Sequence, residues 1–283
     1  MMFYLPFALS MNSIFEFIVK MLSMTAYQII SVLGAVLVFG FILYKLEKMT
    51  TARIVDAIGW NGILFTGWLG TPIHESGHVI FCWIFTHKIH TVKFFKPDQI
   101  TGTLGYVEHS YNKRNLYQQI GNLFIGLGPL VTGCATLYLL AFLLLPDSKQ
   151  LLSVLADSGI TATISLTDMF KLLFESFMSV FTTIFQKNNL GIWQFWLFLY
   201  LSLCVTTHMA PSTADLKSAT KGFITLFLMF LVFNIIFSII GADFSVYTSI
   251  MAGYIGNAIG FILLGIIFSI INFAFAVVLN LIF

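Results

Sequence analysis

Long apolar runs, separated by short polar stretches, are the main pattern along the chain. A helix that crosses a membrane needs about 20 mostly apolar residues. Six runs are long enough, and they predict spanning helices at about 27–44, 58–86, 120–145, 192–209, 222–240 and 246–283. The last run is also long enough for two tightly connected helices, so seven spans is the alternative.

Two further segments carry polar residues three and four positions apart among apolar ones. The first stripe consists of Ser13, Glu16, Lys20 and Ser23, and the second of Asp168, Lys171, Glu175, Ser179, Thr182 and Gln186. This spacing predicts amphipathic helices. Helices of this kind are suited to lie in the membrane interface.

The most polar part of the chain is 88–119. It mixes β-branched and aromatic residues with turn formers around Pro97 and Asp98, which predicts two short strands joined as a hairpin. Beside a membrane cavity, such a hairpin would offer an edge that an extended peptide can join. An ordinary connecting loop is the alternative.

Composition agrees with a membrane protein. Hydrophobic residues make up 58% of the chain, charged residues 9%, and the mean hydropathy is +0.93, whereas soluble domains carry about 25% charged residues. The net charge of +2 argues against a nucleic-acid partner. With six spans, eight of the 14 lysines and arginines fall on the side of both termini, which predicts that the termini face the cytoplasm.

The cysteines do not indicate a redox or metal function. Cys82, Cys134 and Cys204 lie in apolar runs without a spacing typical of a disulfide framework or a cysteine-rich metal site. We therefore interpret them as small buried hydrophobic residues. Cys82 follows His78 by four positions, so a role beside that histidine is the alternative.

One motif carries chemistry: residues 74–78 read His-Glu-Ser-Gly-His. Residues at i and i+4 of a helix share a face, so His74 and His78 can reach one metal ion and place Glu75 beside a metal-bound water. Such residues are costly at membrane depth and therefore indicate function. Pro72 and the glycines before it predict a kink, a break or a re-entrant turn. Two ordinary core histidines are the alternative.

A third ligand must come from elsewhere, because a catalytic zinc ion usually has three protein ligands and one open position. Asp215 is the candidate, since Pro211 interrupts an apolar run just before it. Ser212 also predicts a capping box, in which the Asp215 carboxylate binds the start of its own helix. His208 competes with Asp215 as a ligand, or as a hydrogen-bond donor near the reacting carbonyl.

These features resemble the site-2 protease family of intramembrane zinc metalloproteases. The resemblance rests on the 74–78 motif, on Gly128 and Pro129 in the next span, and on the proline and aspartate that follow, and it covers about 57–220. It implies that His74, His78 and Asp215 bind zinc and that Glu75 activates water.

The chain also departs from the family pattern. Thr132 stands where the family usually has asparagine, and Leu216 follows the aspartate where the family usually has glycine. Thr132 and Asn122, both in the third predicted span, are auxiliary candidates together with His208.

The sequence thus predicts an all-α polytopic membrane protein with about six spans, a three-helix catalytic core, a membrane-associated hairpin and interfacial helices. Three regions are expected: 1–56 with the first span, 57–220 as the metalloprotease core, and 221–283 with the C-terminal spans. The expected function is Zn²⁺-dependent hydrolysis of peptide bonds in membrane-embedded or membrane-adjacent proteins. The alternative is a metal-ion transporter or another metal-binding membrane protein that uses the same residues.

Overall fold

The computed structural model describes residues 11–146, 148–157 and 166–282. The start of the predicted N-terminal region, 1–10, and part of the connection before α5, 158–165, lie outside this description, as do residues 147 and 283. In chain order the elements are α1 (Met11–Ile58), α2 (Trp60–Ile84), β1 (Lys88–Lys93), β2 (Tyr106–Ser110), α3 (Leu116–Leu144), α4 (Ser148–Asp157), α5 (Leu166–Ile184), α6 (Lys187–Leu190), α7 (Trp193–Thr206), α8 (Thr213–Ile239) and α9 (Ser245–Ile282).

Helices dominate this architecture, as the apolar runs predict. By length and composition, four of the described segments can cross a membrane: 13–58, 116–144, 213–239 and 259–282. α7 is apolar but has only 14 residues, and α2 is not among the four. The chain therefore has the character of a multi-pass membrane protein, and the count of six spans stays a prediction.

α1 is longer than the sequence suggests. It is one helix of 48 residues, although the charges after position 44 predict a loop there. The last predicted run forms the single helix α9 of 38 residues, and not the alternative of two tight helices. α1 and α9 pack along each other, so each long apolar surface is partly covered by the other.

α3 lies at the centre of the fold and contacts α2, α7, α8 and α9. Its glycines allow close backbone approach, as small residues do between membrane helices. A Cβ on Gly77 of α2 would lie 2.4 Å from the carbonyl carbon of Gly128, and a Cβ on Gly126 would lie 2.6 Å from the Asp215 carbonyl oxygen. At these two glycines the backbones of neighbouring helices are in close contact, and these contacts hold α2 and α8 against α3.

The predicted hairpin is present. β1 and β2 pair antiparallel, with Val92 opposite Val107, and a bulge lies between Ile89 and Thr91. A further bridge joins Asp98 to Thr103.

The second predicted stripe also forms a helix with two different faces. On α5, Lys171 and Glu175 are exposed and form an ion pair of 3.9 Å, while Val180 and Ile184 are fully buried.

Candidate metal centre

The 74–78 motif lies in the second half of α2. The helix continues through Pro72 rather than breaking before His74, and the Ser76 hydroxyl donates to the Pro72 carbonyl at 2.6 Å. The regular helix therefore places His74 and His78 one turn apart. Their Nε2 atoms are 3.2 Å from each other.

Backbone carbonyls orient both imidazole rings. His74 Nδ1 lies 2.6 Å from the His208 carbonyl oxygen, and His78 Nδ1 lies 2.9 Å from the Ile125 carbonyl oxygen. A carbonyl oxygen only accepts, so each Nδ1 carries the hydrogen. In a neutral ring of this tautomer the lone pair is on Nε2, and the two Nε2 atoms lie next to each other. This is the arrangement by which proteins orient histidines that bind metal.

Asp215 completes the cluster from the first turn of α8. Its Oδ2 is 3.4 Å from His74 Nε2, and its Oδ1 is 3.2 Å from His78 Nε2. The same carboxylate forms the predicted capping box, since Oδ2 accepts from the Ser212 N–H at 2.7 Å and Ser212 Oγ accepts from the Asp215 N–H. Capping and facing the histidines are therefore compatible roles for Asp215.

The spacing of these atoms is compatible with a bound metal ion. Two nitrogen atoms bound at about 2.0–2.1 Å to one tetrahedral zinc ion lie about 3.3 Å from each other, and the two Nε2 atoms are 3.2 Å apart. The Asp215 carboxylate faces the two rings through different oxygens, at 3.4 Å from His74 and 3.2 Å from His78. One ligand atom from each of the three residues lies within 4.8 Å of the other two. The cluster can therefore hold a metal ion.

Glu75 lies beside this cluster in the same cavity. Its side chain is buried, and the cavity of about 570 Å³ is lined by Glu75, both motif histidines and Asp215. The hairpin segment 102–107 forms another wall. The cavity thus combines a potential metal site, a carboxylate and a segment of extended chain.

The auxiliary candidates occupy supporting positions. The His208 ring is directed at Thr66, with Nε2 3.1 Å from Oγ1, while its backbone carbonyl orients His74. Thr132 Oγ1 donates to the Ile73 carbonyl at 3.0 Å. Asn122 is buried, and its Oδ1 accepts from Ser218 Oγ at 3.4 Å. Among the His, Cys, Asp and Glu side chains of the described residues, the cluster consists of His74, His78 and Asp215 and does not include His208.

A further carboxylate, not predicted from the sequence, also belongs to the cavity. Glu47 of α1 lines the cavity, and its Oε2 accepts from the Ala210 N–H at 3.0 Å. It therefore binds the turn that leads to Asp215. The charges around Glu47 favoured a loop, and no local signal separates a carboxylate in a loop from one on a continued helix.

Comparisons with known proteins do not extend this picture. Neither known protein families, nor curated proteins, nor solved structures yield a match to the chain. The candidate function therefore rests on the geometry of the cavity and on the motif within it.

Proposed function

We propose that the protein is a zinc-dependent intramembrane endopeptidase that works like the site-2 proteases. The observation that carries the proposal is the convergence of two imidazole nitrogens and one carboxylate, 3.2–3.4 Å apart, beside the buried Glu75. Three protein ligands with a neighbouring carboxylate are typical of a catalytic zinc site rather than a structural one.

The chemistry divides between the metal and Glu75. A zinc ion held by His74, His78 and Asp215 would lower the pKa of a bound water to about 7 and polarise a peptide carbonyl. Glu75, which lies beside the cluster, would take the proton from that water as general base and return it to the departing amine as general acid. The carbonyls of His208 and Ile125 hold the two imidazoles in the required tautomer.

We expect an extended substrate peptide to lie beside the hairpin. A helical substrate must unwind locally, because its carbonyls are otherwise occupied by helical hydrogen bonds. The segment 102–107 lines the same cavity as the motif. Gly105 lies against α2, where an added Cβ would be 2.9 Å from Thr71 Cγ2. An unwound peptide can therefore lie along this segment, as peptides add to exposed strands elsewhere.

Replacing Glu75 by glutamine tests the proposal. Membranes that contain the wild type or Glu75→Gln are compared by mass spectrometry of newly formed peptide termini, and the zinc content of each purified protein is measured. Glu75→Gln is expected to keep its zinc and to lose about 10²–10⁴-fold in cleavage rate. Glu108→Gln, in an exposed part of β2, is the matched control and should retain both.

Two results would contradict the proposal. Cleavage at the wild-type rate by Glu75→Gln would show that Glu75 is not the general base. Zinc flux into proteoliposomes by both proteins, without a proteolytic product in either, would instead assign the cluster to transport.

A further inference from the structure

A second cluster of metal-ligating side chains lies where α2 meets the hairpin. It consists of Cys82 near the end of α2, His87 just before β1, and His109 in β2. One ligand atom from each residue lies within 4.8 Å of the other two. Cys82 is completely buried and is not in a disulfide, and His87 is 5% exposed.

A strained turn brings His87 back to Cys82. After α2 ends, the Thr86 N–H donates to the Trp83 carbonyl and the His87 N–H donates to the Cys82 carbonyl at 2.8 Å. These are the two bonds of a Schellman motif, whose left-handed position is usually glycine. Here that position is Thr86, with φ of 55°. A β-branched residue is rarely found there, so the surrounding structure must maintain this turn.

Gln118 of α3 supports the turn on both sides. Its side-chain amide donates to the Thr86 carbonyl at 2.8 Å and to Thr86 Oγ1 at 3.1 Å. Its backbone carbonyl lies 2.8 Å from His87 Nε2. Since a carbonyl only accepts, His87 Nε2 carries the hydrogen, and the neutral ring has its lone pair on Nδ1.

That lone pair faces the ring of His109. The two Nδ1 atoms are 3.1 Å apart, close to the separation of about 3.3 Å expected for two nitrogens on one tetrahedral zinc ion.

We propose that Cys82, His87 and His109 form a second metal site, which takes a zinc ion through one thiolate and two imidazoles. A mixed sulfur and nitrogen ligand set suits zinc. Binding replaces the thiol proton of Cys82, which is released to solvent. The ion would link the end of α2 to the hairpin. His109 also lines the cavity of the candidate metal centre, so the ion would fix that wall of the cavity. This site does not depend on the proposed proteolysis.

Metal analysis of the purified full-length protein tests the proposal. After gel filtration in buffer with a mild chelator, the wild type should hold two zinc ions per chain and Cys82→Ala should hold one. The double variant His74→Ala/His78→Ala should also retain one. Cys134→Ala removes another buried free cysteine and is the matched control, with two ions expected.

Cobalt substitution identifies the ligand directly. The cobalt-loaded wild type and the double variant should show thiolate-to-cobalt charge transfer in the near ultraviolet, and Cys82→Ala should lose it. His109→Gln serves as a second variant if Cys82→Ala does not fold, and it should lose the same zinc ion. The proposal is overturned if these variants keep the metal content of Cys134→Ala, or if the wild type lacks the charge-transfer band. In that case His109 donates a simple hydrogen bond to His87.

Discussion

Gly77→Ala is predicted to disable the candidate metal centre although Gly77 holds no ligand atom. The added Cβ would lie 2.4 Å from the Gly128 carbonyl carbon, whereas ordinary contact begins near 3.4 Å, so α2 and α3 must separate by about 1.0 Å. The neighbouring atoms belong to backbone, which cannot rotate aside. Overpacking of this kind costs about 1–3 kcal/mol of stability.

This separation of α2 from α3 would disturb the metal ligands, because α3 contacts both His78 and the start of α8, which carries Asp215. Its Ile125 carbonyl orients His78, and its Gly126 packs against the start of α8. Metal–ligand distances tolerate deviations of only about 0.2 Å. Loss of the supporting contacts around a metal site typically lowers affinity by about 10–100-fold, and we expect at least that loss for Gly77→Ala.

Zinc competition against a chromogenic chelator measures this effect in detergent. Gly253→Ala is the control, because no atom of the described residues lies within 4 Å of its added Cβ and alanine favours the helix. Thermal unfolding of both variants separates loss of fold from loss of metal. A zinc affinity for folded Gly77→Ala equal to that of Gly253→Ala would refute the packing argument.

Two further predictions concern the α8 helix. Ser212→Ala removes only the cap and should cost about 1 kcal/mol of stability with zinc retained, whereas Asp215→Asn should lose the zinc of this centre. Thermal unfolding and metal analysis distinguish these outcomes, and equal zinc loss in both would mean that the cap positions the ligand. Asn234→Leu should cost about 1–3 kcal/mol, because the buried Gln28 and Thr25 lose their hydrogen-bond partner. Unchanged denaturant unfolding of Asn234→Leu would contradict this.

Local periodicity explains which features the sequence predicts well. His74 and His78 share a face because helical geometry alone relates i to i+4. The hairpin similarly follows from β-branched residues flanking a turn-forming segment. These features depend on neighbours in the chain, so they can be predicted without knowledge of the rest of the fold.

Other features depend on long-range contacts and cannot be predicted from neighbouring residues. The choice between Asp215 as cap and as ligand remained open because it depends on the approach of α8 to α3 at Gly126. The charges around Glu47 predict a polar loop, yet Glu47 lies on α1 and binds the Ala210 N–H across 163 positions. The apolar run around Cys82 predicts a core residue, and only the turn at Thr86 brings Cys82 to His87.

An apolar, largely helical protein with one two-histidine motif can be recognised from the chain alone, because hydrophobicity and helical spacing are local properties. Which distant groups share the cavity depends on the packing of the helices. Close approach at Gly77 and Gly126 brings three helices together, and this packing places Asp215 beside the motif. Such contacts depend on how whole helix surfaces fit together, and no single stretch of sequence encodes that fit.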